Sequence, residues 1–239
     1  LRWFPILWRK FISSILVIGT GLFLGPEGPS LQLGSNIGQG VSEGFKQNKT
    51  SSRVLLATGA ASGLSTAFGA PLSGVLFMLE TIFHNFSPRV GINALAGALA
   101  SNFVTSNIFG QQPVLAIAYD HPFPVVLYWH LLILGIILGL LGHFYKMGLF
   151  SCKKLYAKIE FLPHWLLGLI PLAILIPIAY FLPLITGPGS RLILDLPEMV
   201  TKTGWIMLGT LVFFYLLRLI FSIVSYDSGL PSGVFLPVL

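Results

Sequence analysis

One carboxylate, Glu27, stands in the run Gly25-Pro26-Glu27-Gly28-Pro29, between two stretches without charge, residues 11–24 and 30–41. Inside a bilayer a lone glutamate is expensive and marks a functional position by default. It titrates, and ionised it is itself an anion. The helix breakers around it supply the other half of that chemistry. Pro29 has no backbone N–H and suits the first turn of a helix. A helix is therefore expected from about Gly28, with its positive dipole end and unpaired N–H groups turned toward the break. Such an end attracts anions, and Glu27 is itself one.

Other groups offer less. Glu80, followed by Thr81, closes a short apolar stretch. It fits a helix-end residue near His84 and Arg89 as well as a group on a proton path. Asp227, before Ser228 and Gly229, reads as a polar turn residue. His121, His130, His143 and His164 are scattered, with no HExxH-like pair, and the single cysteine, Cys152, allows neither an internal disulfide nor a metal-ligand spacing. No metal site is expected. An intramembrane hydrolase built on Glu27 or Glu80 would need a second catalytic group, and none is spaced for it. The sequence is not read as an enzyme.

Broken, closely packed helices must position these groups. Of 239 residues, 54% are hydrophobic and 9% charged, against about 25% charged in soluble domains. The mean hydropathy is +0.84, and no ten-residue alternation points to a barrel. The 26 glycines and 16 prolines exceed the needs of plain spanning helices and fit interrupted ones. The net charge of +6 calls for no nucleic acid. Its lysines and arginines cluster at Arg2/Arg9/Lys10, Lys46/Lys49/Arg53 and Lys146/Lys153/Lys154/Lys158, which places those connections on the cytoplasmic side. The connection 110–124 carries Asp120 and no Lys or Arg, and is expected outside. Trp3, Trp8, Trp129 and Trp165 fall near helix ends, as interfacial aromatics do. Helices are expected over residues 5–23, 28–45, 53–68, 72–84, 93–109, 128–147, 164–181 (with Pro171 and Pro177 inside), 192–200 and 204–223. The fold class is all-α: a polytopic membrane protein of broken and tilted helices, in one transmembrane domain over residues 1–239. A second Gly/Pro-interrupted segment, residues 228–237, hints at two halves of an internally repeated transporter. The chain opens without methionine and ends just after this segment, and is expected to be a piece of a longer protein.

Three blocks of residues resemble the CLC family of chloride channels and chloride/proton exchangers, of the bacterial type. Gly25-Pro26-Glu27-Gly28-Pro29, continued by Gln32, Gly34 and Asn36-Ile37-Gly38, resembles the family's GREGP motif. Leu56-Ala57-Thr58-Gly59-Ala60-Ala61 with Ala70-Pro71-Leu72-Ser73-Gly74-Val75-Leu76-Phe77 resembles its next helix pair. Gly233-Val234-Phe235-Leu236-Pro237 resembles its GxFxP motif. The blocks fall in the family's order and span nearly the whole chain. The resemblance implies an inverted-repeat architecture, of which this chain is the central part, in a multi-pass protein of the cell membrane. It implies a homodimer with one anion pathway per subunit. It implies transport of chloride or a similar small anion coupled to proton exchange, or alternatively an uncoupled voltage- or pH-gated channel. No cofactor is implied beyond the transported chloride and protons. Glu27 would be the gating glutamate and Gly25, Pro26, Glu27 and Gly28 the anion-facing set, with N–H groups of Val234 and Phe235 at a central anion site.

The sequence departs from the family pattern in places. Pro26 stands where the family has arginine, which removes a cation and a backbone donor. Thr81 falls on the inner proton-transfer glutamate of exchangers, with Glu80 one position earlier. The family's GSGIP serine and pore tyrosine would lie upstream and downstream. Residues 1–239 alone are therefore not expected to transport.

Overall fold

The structure is a computed structural model describing residues 2–84, 86–110, 124–163, 166–187, 189, 192–194, 205–231 and 233, with backbone alone at 205–208. Eight helices organise the described residues. α1 (Trp3–Gly19) ends earlier than its apolar run, because Gly21 takes a left-handed φ of 83° and turns the chain away. α2 (Glu27–Gly44) opens at the glutamate itself. α3 (Lys49–Phe68) starts before its apolar pattern: the Asn48 side chain caps it, accepting from the Ser51 N–H at 2.8 Å. α3 stops at Gly69, with φ 63°.

α4 (Pro71–Phe77) runs on as a π-helical turn, Met78–Phe83, and stops at His84 in the left-handed region. α5 (Pro88–Phe109) begins at a proline in its first turn, upstream of the expected start. α6 (Tyr128–Ala157) is ten residues longer than its cleanest apolar run; Lys154 in its last turn complements the helix dipole. α7 (Leu169–Phe181) keeps Pro177 inside, and α8 (Trp205–Asp227) reaches beyond the expected end. Of the amphipathic stretch expected at 192–200, only residues 192–194 are described, and they are helical. The segments Val125–Ala157 and Gly209–Asp227 are long and apolar enough to cross a bilayer.

Two apolar clusters hold these helices. The first joins α3, α4, the π turn and α5 through Ala57, Ala60, Ala61, Val75, Met78, Ala94 and Ala98. The second gathers Val17, Leu22, Phe23 and Leu24 against Leu175, Ile185, Leu192 and Phe214. The chain between α1 and α2 leaves the second cluster and enters the helix that packs against the first. Glu27 sits at that crossing.

Candidate functional site

Leu22, Phe23 and Leu24 are fully buried yet not helical. Irregular backbone at membrane depth needs partners within the protein, and it has them. Gly187 N–H donates to Gly21 O at 2.7 Å, and Gly25 and Gly233 exchange a reciprocal pair of bonds, 2.8 Å from Gly25 N and 3.0 Å from Gly233 N. This isolated bridge joins the two broken segments from opposite ends of the chain. The Glu27 side chain lies across it. A methyl group on Gly25 would stand 2.5 Å from Glu27 Cδ, and one on Gly233 would overlap the same carboxylate. Only glycine at both positions leaves the carboxylate its seat.

Glu27 is 8% exposed and is the first residue of α2, after Pro26 at the N-cap. Gly28 follows in the same turn. Ser30 N–H donates to Pro26 O at 2.9 Å, so the helical ladder begins directly behind the carboxylate. The N–H groups of that first turn precede the ladder and face outward along the axis. A cavity of 440 Å³ adjoins it, lined among others by Glu27, Gly28, Ser73 and Phe77 of α4, Tyr226 of α8 and Gly233. A carboxylate, a helix start and hydroxyl-bearing walls thus share one space.

The frame behind the site is set by backbone contact. A Cβ on Gly34 would overlap the Gly59 carbonyl, and one on Gly59 would overlap that of Gly34. Gly38 sits equally close to Leu55 O and Gly63 to Ser30 O. Gly34/Gly38 and Gly59/Gly63 are two small-xxx-small spacings meeting face to face. Across α3, Ser65 Oγ donates to Ala98 O at 3.0 Å and Ser101 Oγ to Ser62 O at 3.1 Å.

Arg218 was not singled out from sequence. It is a buried cation in α8, with Nη1 donating to Ile185 O at 2.7 Å and Nη2 to Gly187 O at 3.3 Å. Its guanidinium lies 5.3 Å from the Phe23 ring centroid. Because Gly187 in turn holds Gly21, Arg218 fixes the irregular segment that leads to Glu27. The available signal was one arginine in an otherwise apolar run.

Other expected groups lie apart from the site. Glu80 and Thr81 are exposed on the π turn and do not line the cavity. The π turn is wider than an α-helical one, so the helical offset between them does not carry over. Asp227 is the last residue of α8, not part of a turn. Val234, Phe235, His121, His164 and Trp165 lie outside the described residues. Among the described residues no cluster of three His, Cys, Asp or Glu side chains could hold a metal.

Interrupted helices meeting around the buried Glu27 carboxylate place this chain among membrane proteins built of broken helices. The family model for voltage gated chloride channels matches residues 1–239, and the chain belongs to that family. It is 32% identical to the H(+)/Cl(-) exchange transporter ClcA of Salmonella paratyphi A, over 100% of this chain and 50% of that protein. The X-ray crystal structure of a slow cyanobacterial Cl-/H+ antiporter matches with a TM-score of 0.83 and 28% identity, covering 99% of this chain and 55% of that one. A CLC-type fluoride/proton antiporter shares the fold, with a TM-score of 0.77 and 23% identity over 95% of this chain and 56% of its own. The chain spans about half the length of the relatives it matches. The resemblance read from the three motifs holds, and with it the all-α, multi-pass membrane architecture.

Proposed function

We propose that the protein to which this chain belongs exchanges chloride, or a similar small anion, for protons across the cell membrane, with Glu27 as the group both ions contend for. The observation that carries this is the seat of the Glu27 carboxylate. It lies against the bridged backbones of Gly25 and Gly233, at a helix start, beside a cavity. Ionised, it fills the position an anion would take; protonated, it loses its attraction to the helix end and leaves that position free. Gly25, Pro26 and Gly28 shape this seat, and N–H groups of Val234 and Phe235 are proposed to face the anion next to it. Helix ends suit a transported ion because they offer partial charge without a full countercharge that would trap it. The ClcA relative is an H(+)/Cl(-) exchange transporter by name, which supports exchange over a plain channel. The functional unit is proposed to be a homodimer in the lipid bilayer, with one pathway per subunit.

Glu27→Gln keeps the shape and removes the titration. In liposomes holding the complete protein, this variant is expected to pass chloride passively, at a rate independent of pH and without proton movement. Normal proton-coupled, pH-dependent flux from the variant would overturn the assignment. Chloride flux without proton movement in the unaltered protein would make it a channel.

A further inference from the structure

Exchange requires protons to reach Glu27 from the lysine-rich side of the molecule. Glu80 and Thr81 are set apart from the cavity, whereas a polar seam runs between α6 and α8. Ser222 Oγ lies 3.2 Å from the Tyr145 hydroxyl as its donor, and Tyr156 OH donates to Val224 O at 3.0 Å. Ser225 of α8 and Ser228 just beyond its end continue the seam, with Ser228 Oγ donating to Ser225 O at 2.6 Å. Tyr145, Tyr156, Ser222, Ser225 and Ser228 are all buried. At the end of this seam stands Asp227. Its Oδ2 is shielded from solvent and forms no hydrogen bond among the described residues. Tyr226, the residue before Asp227 on α8, lines the cavity beside Glu27, and Lys153 of α6 acts on the Asp227 carboxylate as a cation.

A carboxylate oxygen shut away at the end of an apolar span without a partner is costly, and one retained only for structure is normally hydrogen-bonded. An oxygen that must alternately take and release a proton has reason to be left open. We propose that Asp227 is a proton relay: its half-buried carboxylate takes a proton from water at the Lys153 end of α6 and passes it on from the shielded Oδ2 toward Glu27 along the seam containing Ser222 and Tyr145. Each hop breaks one O–H bond and forms another. The proton ends on a Glu27 oxygen, the Asp227 carboxylate is regenerated, and no electron moves. The hydroxyls of Ser222 and Tyr145 both donate and accept, which a relay demands. Asp227 acts on the proton and not on the anion, so its removal uncouples flux without closing it.

This inference rests on the exchange reading above, and the experiment separates the two. Liposomes holding the complete protein receive a chloride gradient, and chloride and external pH are recorded together. The unaltered protein drives protons uphill; if it does not, exchange itself fails. Given exchange, Asp227→Asn is expected to lower proton movement at least tenfold while chloride flux continues, and Asp227→Glu to restore much of it. Tyr145→Phe is expected to slow proton movement more than chloride. Proton coupling unchanged in Asp227→Asn would overturn the relay. Loss of both fluxes in the Asn and Glu variants alike would assign Asp227 to folding and overturn it equally.

Discussion

The two sides of the molecule that meet at Glu27 are built on different packing rules. On the α2–α3–α5 side, glycines set carbonyl against backbone, and alanines and serine hydroxyls fill what remains. On the side of the α1–α2 connection, α7 and α8, the filling is done by large groups. Phe23 packs 5.4 Å from Phe221 by ring centroids, and Arg218 ties down free carbonyls. In lipid, helices gain little from burying apolar surface against one another, so close approach and hydrogen bonds must hold them. The first side uses close approach of backbones, which leaves its helices little room to shift against one another. The second uses hydrogen bonds to hold an irregular backbone that no helix ladder satisfies. The difference teaches where motion can occur. α2 starts from a rigid wall, so a swing of the Glu27 side chain need not move its helix.

That comparison breaks first at the glycine seam. Gly59→Ala sets a methyl group into the Gly34 carbonyl. The cost should reach or exceed about 3 kcal/mol, the upper end of ordinary overpacking. Thermal unfolding of the purified complete protein checks this, and a near-native midpoint would refute backbone-to-backbone packing there. On the other side, Arg218→Met keeps much of the volume but strips the donors from Ile185 O and Gly187 O. The loss should be about 1–3 kcal/mol. Arg218→Lys should recover only part of it, since an ammonium lacks the fork that reaches both carbonyls. Full recovery by lysine would show that charge, not geometry, holds the segment. The smallest effect sharpens the contrast. Gly139 of α6 has open space where its Cβ would be, so Gly139→Ala should be neutral or stabilise by up to about 1 kcal/mol. The same Gly-to-Ala change would then have opposite signs at Gly59 and Gly139. A clear loss at Gly139 would show that another helix covers that face in the complete protein.

Much of this was legible in the residues. Glu27 stood out because charge is so rare around it, and the helix start because Pro29 allows few alternatives. Helix ends were less legible. α1 stops at Gly19 inside an apolar run, since a left-handed glycine outweighs hydropathy. α3 extends back to Lys49 on the strength of one asparagine cap. Asp227 reads as a turn residue because Ser228 and Gly229 follow it, yet α8 carries it to the helix end.

By itself the sequence determined that the chain lies in a membrane, that its helices are broken, and that one carboxylate stands at a break. These follow from local causes: apolar length, backbone permission at glycine and proline, and the cost of an isolated charge. Tertiary structure alone decided which groups meet. No local pattern says that Gly25 pairs with Gly233, that Arg218 holds the loop beneath Gly21, or that Asp227 lies along a seam toward Tyr145. Those contacts depend on helices distant in sequence reaching one place, and hydrogen bonds of that range are fixed by packing, not by propensity.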